Sequence, residues 1–464
     1  MYLNEDQNYL NTSISKYELM LKSRNTYYFD ASEFENIISH YFEIGKITKA
    51  KQAIKIALSQ HPSSVNIQLF YIESLILDHK INEAESILEY LEKLEPHNEE
   101  ILIQKGHLLS KKNKHEDAIA LFKKAIELTD STDIEADIYN YVGMEYLILE
   151  NYTQALSCFK VCVEIDLEDY SALHNVLYCF DYLEQTQEAI NYLKSYIDQN
   201  PYNEMAWHQL GLQYVLIKAY EKAINAFDYA IISDDTFVGA YLEKGKVLEQ
   251  QKLYDKAIEN YKITLALDDP TAFALLRIGY CYLKLNSTKK ALTYFKQSVI
   301  EDPLLEKGWI AIVNYYFKKK NFNKALFYIN KAIEVDADNS NFWKLYAKTN
   351  KIIGMFEQAE YGYKQALDLG NYELETLIDR ADVLVFLGDY EAAAANLNQA
   401  SEFYNEQAEI EYRLAGIYFT LQQTKKALFH LKKGLNISKE LVFIITKLFP
   451  ALTDHKDFKL MLNR

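Results

Sequence analysis

Apolar residues recur along this chain as paired short stripes separated by polar breaks. Over 204–237, Trp207, Leu210, Gly211 and Tyr214 are spaced 3, 1 and 3, and Ala223, Phe227 and Ala230 are spaced 4 and 3. Each set falls on one face of a helix of 3.6 residues per turn. Lys218-Ala219-Tyr220 lies between them as a short turn, and Asp234 and Asp235 close the segment. The pattern predicts two amphipathic helices folded back on one another. Gly211 and Ala223 stand where those helices must approach closely. A larger side chain there would overpack, at about 1–3 kcal/mol. Trp207, Tyr214 and Phe227 fill the space around them.

The hairpin repeats. Alanines stand at Ala50, Ala84, Ala118, Ala155, Ala189, Ala223, Ala257, Ala291, Ala325, Ala359, Ala393 and Ala427, at intervals of 34, 34, 37 and then 34 eight times. A fixed period of this length marks a stacked array. Pro62 and Pro96 are one period apart, Pro201 and Pro303 are three apart, and Trp207, Trp309 and Trp343 share one phase. The longer interval puts three extra residues near Ser131-Thr132-Asp133, where a lengthened loop is expected because loops accept insertions cheaply.

Composition narrows the class. Gly 14 and Pro 6 make 20 of 464 residues, about 4%, against roughly 12% in an average chain. Sandwiches, barrels and doubly wound sheets need more turns than that. Hydrophobic residues at 49% exclude disorder. The formal charge of −16 opposes non-specific binding of nucleic acid or an anionic membrane. Cys158, Cys162, Cys179 and Cys281 are few and irregular, so buried reduced thiols are expected rather than disulfides. A zinc site would need a tighter pair, and His174 is the only nearby fourth ligand, so no metal and no cofactor are expected. The N-terminus lacks a basic start followed by an apolar core. The longest apolar patch, Leu441–Phe449, is interrupted by Thr446 and Lys447. A cytoplasmic protein without membrane insertion is therefore expected.

The period, with Trp, Leu-Gly, Tyr, Ala, Phe, Ala and Pro at fixed places, resembles the tetratricopeptide repeat family. The match is close over 204–237, 238–271 and 272–305. Gly106, Gly143, Gly211, Gly245 and Gly279 stand at the motif glycine, and Ile38, Ile72, Leu177, Val313, Ala347, Ala381 and Ala415 replace it elsewhere. The resemblance implies an all-α fold: a right-handed superhelix of about twelve helix pairs, as in bacterial scaffold proteins of the family. Units would start near 31, 65, 99, 136, 170, 204, 238, 272, 306, 340, 374 and 408 and end at 439. It also implies that the first helix of each pair lines a concave groove, at places 2, 5, 6, 9, 12 and 13 when the Trp position is 4.

A stacked array exposes an apolar face at each end and usually caps it. Leu10, Ile14, Tyr17 and Leu21 form a helical stripe in 1–30. This helix is expected to cap the first unit, with insertion into the groove as the alternative. Residues 440–464 are expected to cap the last unit. Leu441, Phe443, Ile444, Ile445, Leu448 and Phe449 would form one helix, Pro450 would break it, and Phe458, Leu460, Met461 and Leu462 would form a second.

Two stretches of groove are candidates for binding. The first helices at 272–285, 306–320 and 340–352 hold nine basic residues against one acid, Glu306, so the rest of the chain carries −24. In the implied phase Arg277, Lys284, Lys307, Lys318, Lys344, Lys348 and Lys351 line the inner wall, beside Tyr280, Asn314 and Phe317. Such a wall suits an acidic partner segment. A plain solvated basic face is the competing reading. The family's carboxylate clamp is not intact: Lys344 fits its first place, but Lys348 and Asp379 stand where Asn is required. Replacing Lys344, Lys348 and Lys351 by Glu is expected to abolish acidic capture and leave the fold unchanged. The second stretch is Asn140, Tyr141, Met144, His174, Asn175, Tyr178, His208 and Gln209, whose amides and imidazoles could bond an extended backbone. Ordinary polar lining is the alternative.

No phosphate-binding glycine loop, dinucleotide fingerprint, nucleophile elbow or HExxH occurs. His115-Glu116-Asp117 reads as a surface helix start. The array leaves no segment for a separate catalytic domain. The expected function is therefore a non-catalytic scaffold or adaptor for a protein or peptide partner. A peptide-sensing regulator is the alternative and an enzyme the least favoured class. The aromatic convex face and the C-terminal cap are two surfaces on which self-association could be built.

Overall fold

The computed structural model describes residues 2–23, 27–267, 271–454 and 458, with side chains omitted for 2–12, 453 and 454. The chain divides into two units, Met1–Ala219 and Tyr220–Arg464. Every described element is helical. The first unit holds α1 (Tyr2–Ser23), α2 (Ala31–Glu43), α3 (Ile47–Gln60), α4 (Val65–Leu77), α5 (Ile81–Leu94), α6 (Glu99–Lys111), α7 (His115–Ile126), α8 (Thr132–Ile148), α9 (Tyr152–Ile165), α10 (Tyr170–Tyr182), α11 (Thr186–Gln199) and α12 (Glu204–Leu216). The second holds α13 (Tyr220–Ser233), α14 (Val238–Gln250), α15 (Tyr254–Thr264), α16 (Thr271–Lys284), α17 (Thr288–Glu301), α18 (Glu306–Lys318), α19 (Phe322–Val335), α20 (Ser340–Ile353), α21 (Phe356–Asp368), α22 (Leu374–Leu387), α23 (Tyr390–Phe403), α24 (Ala408–Thr420), α25 (Thr424–Ile437) and α26 (Phe443–Leu448). Within each unit each helix packs on the next, except that α26 packs chiefly on α24, which makes an all-α stack.

The repeated residues explain the stacking. All twelve periodic alanines are wholly buried. The motif glycine makes room for the aromatic ring sixteen residues later in its own hairpin: a methyl at Gly143 would sit 2.7 Å from Phe159 Cε1. Gly106 faces Phe122, Gly245 faces Tyr261 and Gly279 faces Phe295 in the same way. The tryptophans hold the turn before them. Trp207, Trp309 and Trp343 Nε1 donate to the carbonyls of Pro201, Pro303 and Ala337 at 2.9, 2.8 and 2.7 Å. After the first helix of each period one residue takes a left-handed backbone: Gly45, His79, Asn113, Glu150, Glu184, Lys218, Lys252, Asn286, Lys320, Gly354, Gly388 and Gln422. These stand in the same register as the alanines.

Three expectations need correction. The extra residues near 131–133 lengthen a helix, not a loop. α8 has 17 residues where α6 and α10 have 13. Ser131 caps it by accepting from the Ile134 amide, and Asp133 and Glu135 lie in its first turn, where the helix dipole favours acids. On α1 the buried face is Ser13, Tyr17 and Met20, while Leu21 is exposed. Tyr17 lies edge-on to Phe29 and Phe34 in the first-unit core, at 6.0 and 6.5 Å. Near the C-terminus, Ile444, Ile445, Phe449 and Phe458 are buried against α24, but Phe443 is exposed. α26 stops at Leu448 and a 3-10 turn begins at Pro450. Leu10, as a side chain, and Leu460, Met461 and Leu462 lie outside the described residues.

The four cysteines are free and buried, and burial raises each thiol's pKa. No described helix is long and apolar enough to cross a membrane.

Candidate functional site

Stacking brings the first helices of successive hairpins side by side: α2 with α4, α4 with α6, α20 with α22 and α22 with α24. Side chains on their common face therefore meet across repeats. In the first unit this face forms a channel. A cavity of about 400 Å³ is lined by Glu35, Asn36, Ser39, Asn66, Leu69, Phe70, Glu73, Glu100 and Gln104. A second, of about 210 Å³, shares Glu73, Glu100 and Gln104 with it and continues past Ile103, His107 and Ile134 to Asp137 and Tyr141. α1 packs against α2 through Tyr17, and none of its described side chains lines either cavity.

That channel is acidic. Burial, reinforced by Glu100, pushes the Glu73 carboxyl up to about 6. Burial raises Glu100 as well, partly offset by the Gln104 amide, which donates to it at 3.0 Å. Asp137 is raised by burial and by Asp133 and Asp169. No ion pair reaches Glu73, Glu100 or Asp137 from a described cation. The sequence reading missed this feature. Its signal was there, because all three acids fall at groove places.

The second unit treats the same places differently. Lys344 Nζ lies 2.6 Å from Glu373 and 2.8 Å from Glu375. Lys348 reaches Glu375 at 2.8 Å. Lys351 reaches Asp379 at 2.8 Å and Asp382 at 3.7 Å. Arg413 on α24 extends the series to Asp382 at 2.7 Å. Hydrogen bonds from Lys344 and Lys348 drive the Glu375 carboxyl down to about 2. Burial works against the Lys344 charge, and its bonds to Glu373 and Glu375 outweigh that and raise its pKa. Arg277 makes two bonds of 2.8 Å to Glu249 on α14. The structure therefore engages four of the expected basic residues, Arg277, Lys344, Lys348 and Lys351, with the chain's own acids. The expectation that charge reversal at Lys344, Lys348 and Lys351 leaves the fold unchanged is corrected accordingly, because those lysines bridge α20 to α22.

Lys284, Lys307 and Lys318 are exposed and make no ion pair with a described residue. Lys318 borders a cavity of about 200 Å³ with Tyr280, Leu283, Thr288, Phe295, Ala311, Asn314, Tyr315 and Lys319. The walls come from α16, α17 and α18. Tyr280 packs edge-on to Phe295 at 5.1 Å, which fixes the floor. A larger cavity of about 680 Å³ lies elsewhere, between α13 and α15 over α14, away from the predicted residues.

The second predicted stretch is less uniform. Tyr141 stands 4.5 Å edge-on from His107 and closes the end of the acidic channel, and burial pushes its hydroxyl up to about 12. Met144 and His174 are exposed, and Asn140, Asn175, His208 and Gln209 are half-buried. Tyr178 joins a ring cluster with Tyr182, which stacks on Tyr152. His115-Glu116-Asp117 starts α7 as expected, with Glu116 and Asp117 exposed, but His115 is half-buried. Its Nδ1 lies 2.6 Å from the buried carboxylate of Glu145, which ties α7 to α8.

Sequence models described as tetratricopeptide repeat match residues 99–132, 306–339 and 242–305. The chain is 22% identical over 209 residues to anaphase-promoting complex subunit 3 of Schizosaccharomyces pombe, across 45% of this chain and 31% of that protein. It is 23% identical over 225 residues to the BBSome complex member BBS4 of Bos taurus, across 48% of this chain and 42% of that one. The chain thus spans under half the length of these relatives. A solved tetratricopeptide repeat protein from Parabacteroides merdae is 17% identical, with a TM-score of 0.34 over 53% of this chain and 98% of that one. At that TM-score the likeness carries no argument.

Proposed function

Because the chain is a tetratricopeptide repeat protein, we propose that it works as a non-catalytic scaffold that holds a partner's extended segment against its first helices. The observation that supports this reading is the set of open cavities between successive first helices, lined by side chains whose charge and polarity change along the chain. A repeat stack offers such sites in series along its units. Two relatives, anaphase-promoting complex subunit 3 and the BBSome complex member BBS4, belong to complexes, which fits the same reading.

The partner of the second unit carries an acidic segment. Tyr280, Asn314 and Lys318 contact it directly, with Lys284 and Lys307 adding attraction from nearby. Lys344, Lys348, Lys351 and Arg277 hold the helices in register around that surface. In the first unit Asn140, Tyr141, Met144, His174, Asn175, Tyr178, His208 and Gln209 supply polar contacts to a peptide backbone. The protein acts in the cytoplasm and binds no nucleic acid.

The test is site-specific photocrosslinking in the source cell. A photoreactive residue at Asn314, on the groove face of α18, is expected to trap a defined partner. The same residue at exposed Phe327, on α19, is expected to trap none. Equal capture at both positions, or capture at Phe327 alone, overturns the reading.

A further inference from the structure

The positive surplus of the first-helix stretches 272–285, 306–320 and 340–352 is not spread evenly. Lys344, Lys348, Lys351 and Arg277 are neutralised within the chain. Lys318 and Lys319 make no ion pair with a described residue, and both stand at the rim of the 200 Å³ cavity between α16 and α18. The walls below them are Tyr280, Leu283, Phe295 and Ala311, which are apolar or aromatic. The cavity therefore joins an apolar interior to an uncompensated cationic edge.

Its size selects the occupant. A dry cavity of about 150 Å³ holds a benzene ring. Pockets for drug-sized ligands and cofactors run from about 300 to 1,000 Å³. A volume of about 200 Å³ thus fits a single aromatic or branched side chain and is too small for a cofactor. Interfaces concentrate their affinity in such buried anchors, surrounded by weaker polar contacts.

We propose that this cavity is the anchor pocket for one aromatic or branched apolar side chain of a partner segment, flanked by aspartate or glutamate residues that meet Lys318 and Lys319. The proposal rests on the scaffold reading and names the chemistry of the partner at that site. The Asn314 amide, on the same rim, bonds the segment's backbone beside the anchor. Exposed charges act mainly on the association rate and are screened by salt. The anchor supplies the part of the affinity that salt does not remove.

The test uses the full chain as bait for a library of short random peptides. Enriched peptides are expected to carry one Phe, Tyr, Trp, Leu, Ile or Met among Asp and Glu residues. Alanine in place of that residue should weaken binding at least tenfold. Asn314→Phe, which fills the cavity from its rim, should do the same. The double variant Lys318→Glu, Lys319→Glu should weaken acidic peptides and accept versions whose acids are replaced by lysine. Both variants change exposed side chains, and retained helical signal and melting temperature would show that they fold. A library that yields no enriched sequence, or peptides indifferent to both Asn314→Phe and the loss of their apolar residue, would overturn the anchor. The scaffold reading would still stand or fall on the crosslinking comparison at Asn314 and Phe327.

Discussion

Lys348 Nζ stands 2.8 Å from Glu375 Oε1, across the seam between two successive first helices and 27 residues apart in sequence. Glu73 and Glu100, also 27 residues apart, hold the same two places in the first unit. One register thus carries an ion pair in the second unit and two like charges in the first. The helical frame is repeated while its electrostatics are not.

The Glu73 carboxyl gives the first unit an inverted pH response. Its pKa is raised to about 6 in the folded chain, from an ordinary 4.5. The folded form then binds the proton more tightly than the unfolded form. The associated stability is fully present below about pH 4.5 and is lost as the pH rises through about 6. Glu73→Gln is expected to remove the Glu73 share of that slope, while the raised Glu100 and Asp137 keep theirs, and to stabilise the unit at pH 7.5 by roughly 2 kcal/mol. Urea unfolding of both proteins at pH 5 and 7.5 measures it. Glu375 does not confound the comparison. Its depressed pKa adds stability that is present above about 4.5 and lost only as the pH falls toward 2.

Reversing Lys344, Lys348 and Lys351 together to Glu should destabilise the second unit. Each new carboxylate would face Glu373, Glu375, Asp379 or Asp382. Exposed pairs are worth about 0.2–1 kcal/mol and buried ones several times more. These are intermediate, so a total loss of roughly 2–4 kcal/mol is expected. Denaturation of the triple variant, with and without added salt, checks it, and salt should reduce the loss.

The left-handed turn residues offer a change of opposite sign. Lys252 is exposed with φ 62°. Lys252→Gly should stabilise by about 0.5 kcal/mol, because relief of left-handed strain outweighs the greater freedom of glycine when unfolded. At Gly354, φ 81°, Gly354→Val should cost more than about 1 kcal/mol. Thermal melts of the two variants decide it.

Gly416 sets the seat of the C-terminal segment. A methyl there would collide with the ring of Phe449, which is buried against it. Gly416→Ala is expected to cost about 1–3 kcal/mol. In a Phe449→Ala background the same change should become neutral or favourable by up to about 1 kcal/mol, since alanine is the better helix former. A double-mutant cycle reads the sign change.

Much of the fold was legible because the close approaches are made by side chains that cannot vary freely. Ala118 is buried to the limit, and Gly143 leaves space for one ring. The groove was legible only in part. The repeat phase selected Tyr280, Asn314 and Lys318, which share a cavity. Counting charge helix by helix hid the partners of Lys344, Lys348 and Lys351, which lie 27 to 29 residues onward on the next first helix. Reading groove places across adjacent repeats would have found them, and would have exposed the Glu73–Glu100 clash. The three-residue insertion was misread because Ser, Thr and Asp suit turns as well as helix starts. Only the acids after Ser131 favour the helix.

Hydrogen exchange along the full chain, with and without its crosslinked partner, tests the scaffold account most directly. Slowed exchange is expected in α16 and α18, around Tyr280 and Asn314, with α17 and α19 changed little on their outer turns. Protection confined to α17, α19 and α21, with α16 and α18 unaltered, would contradict it.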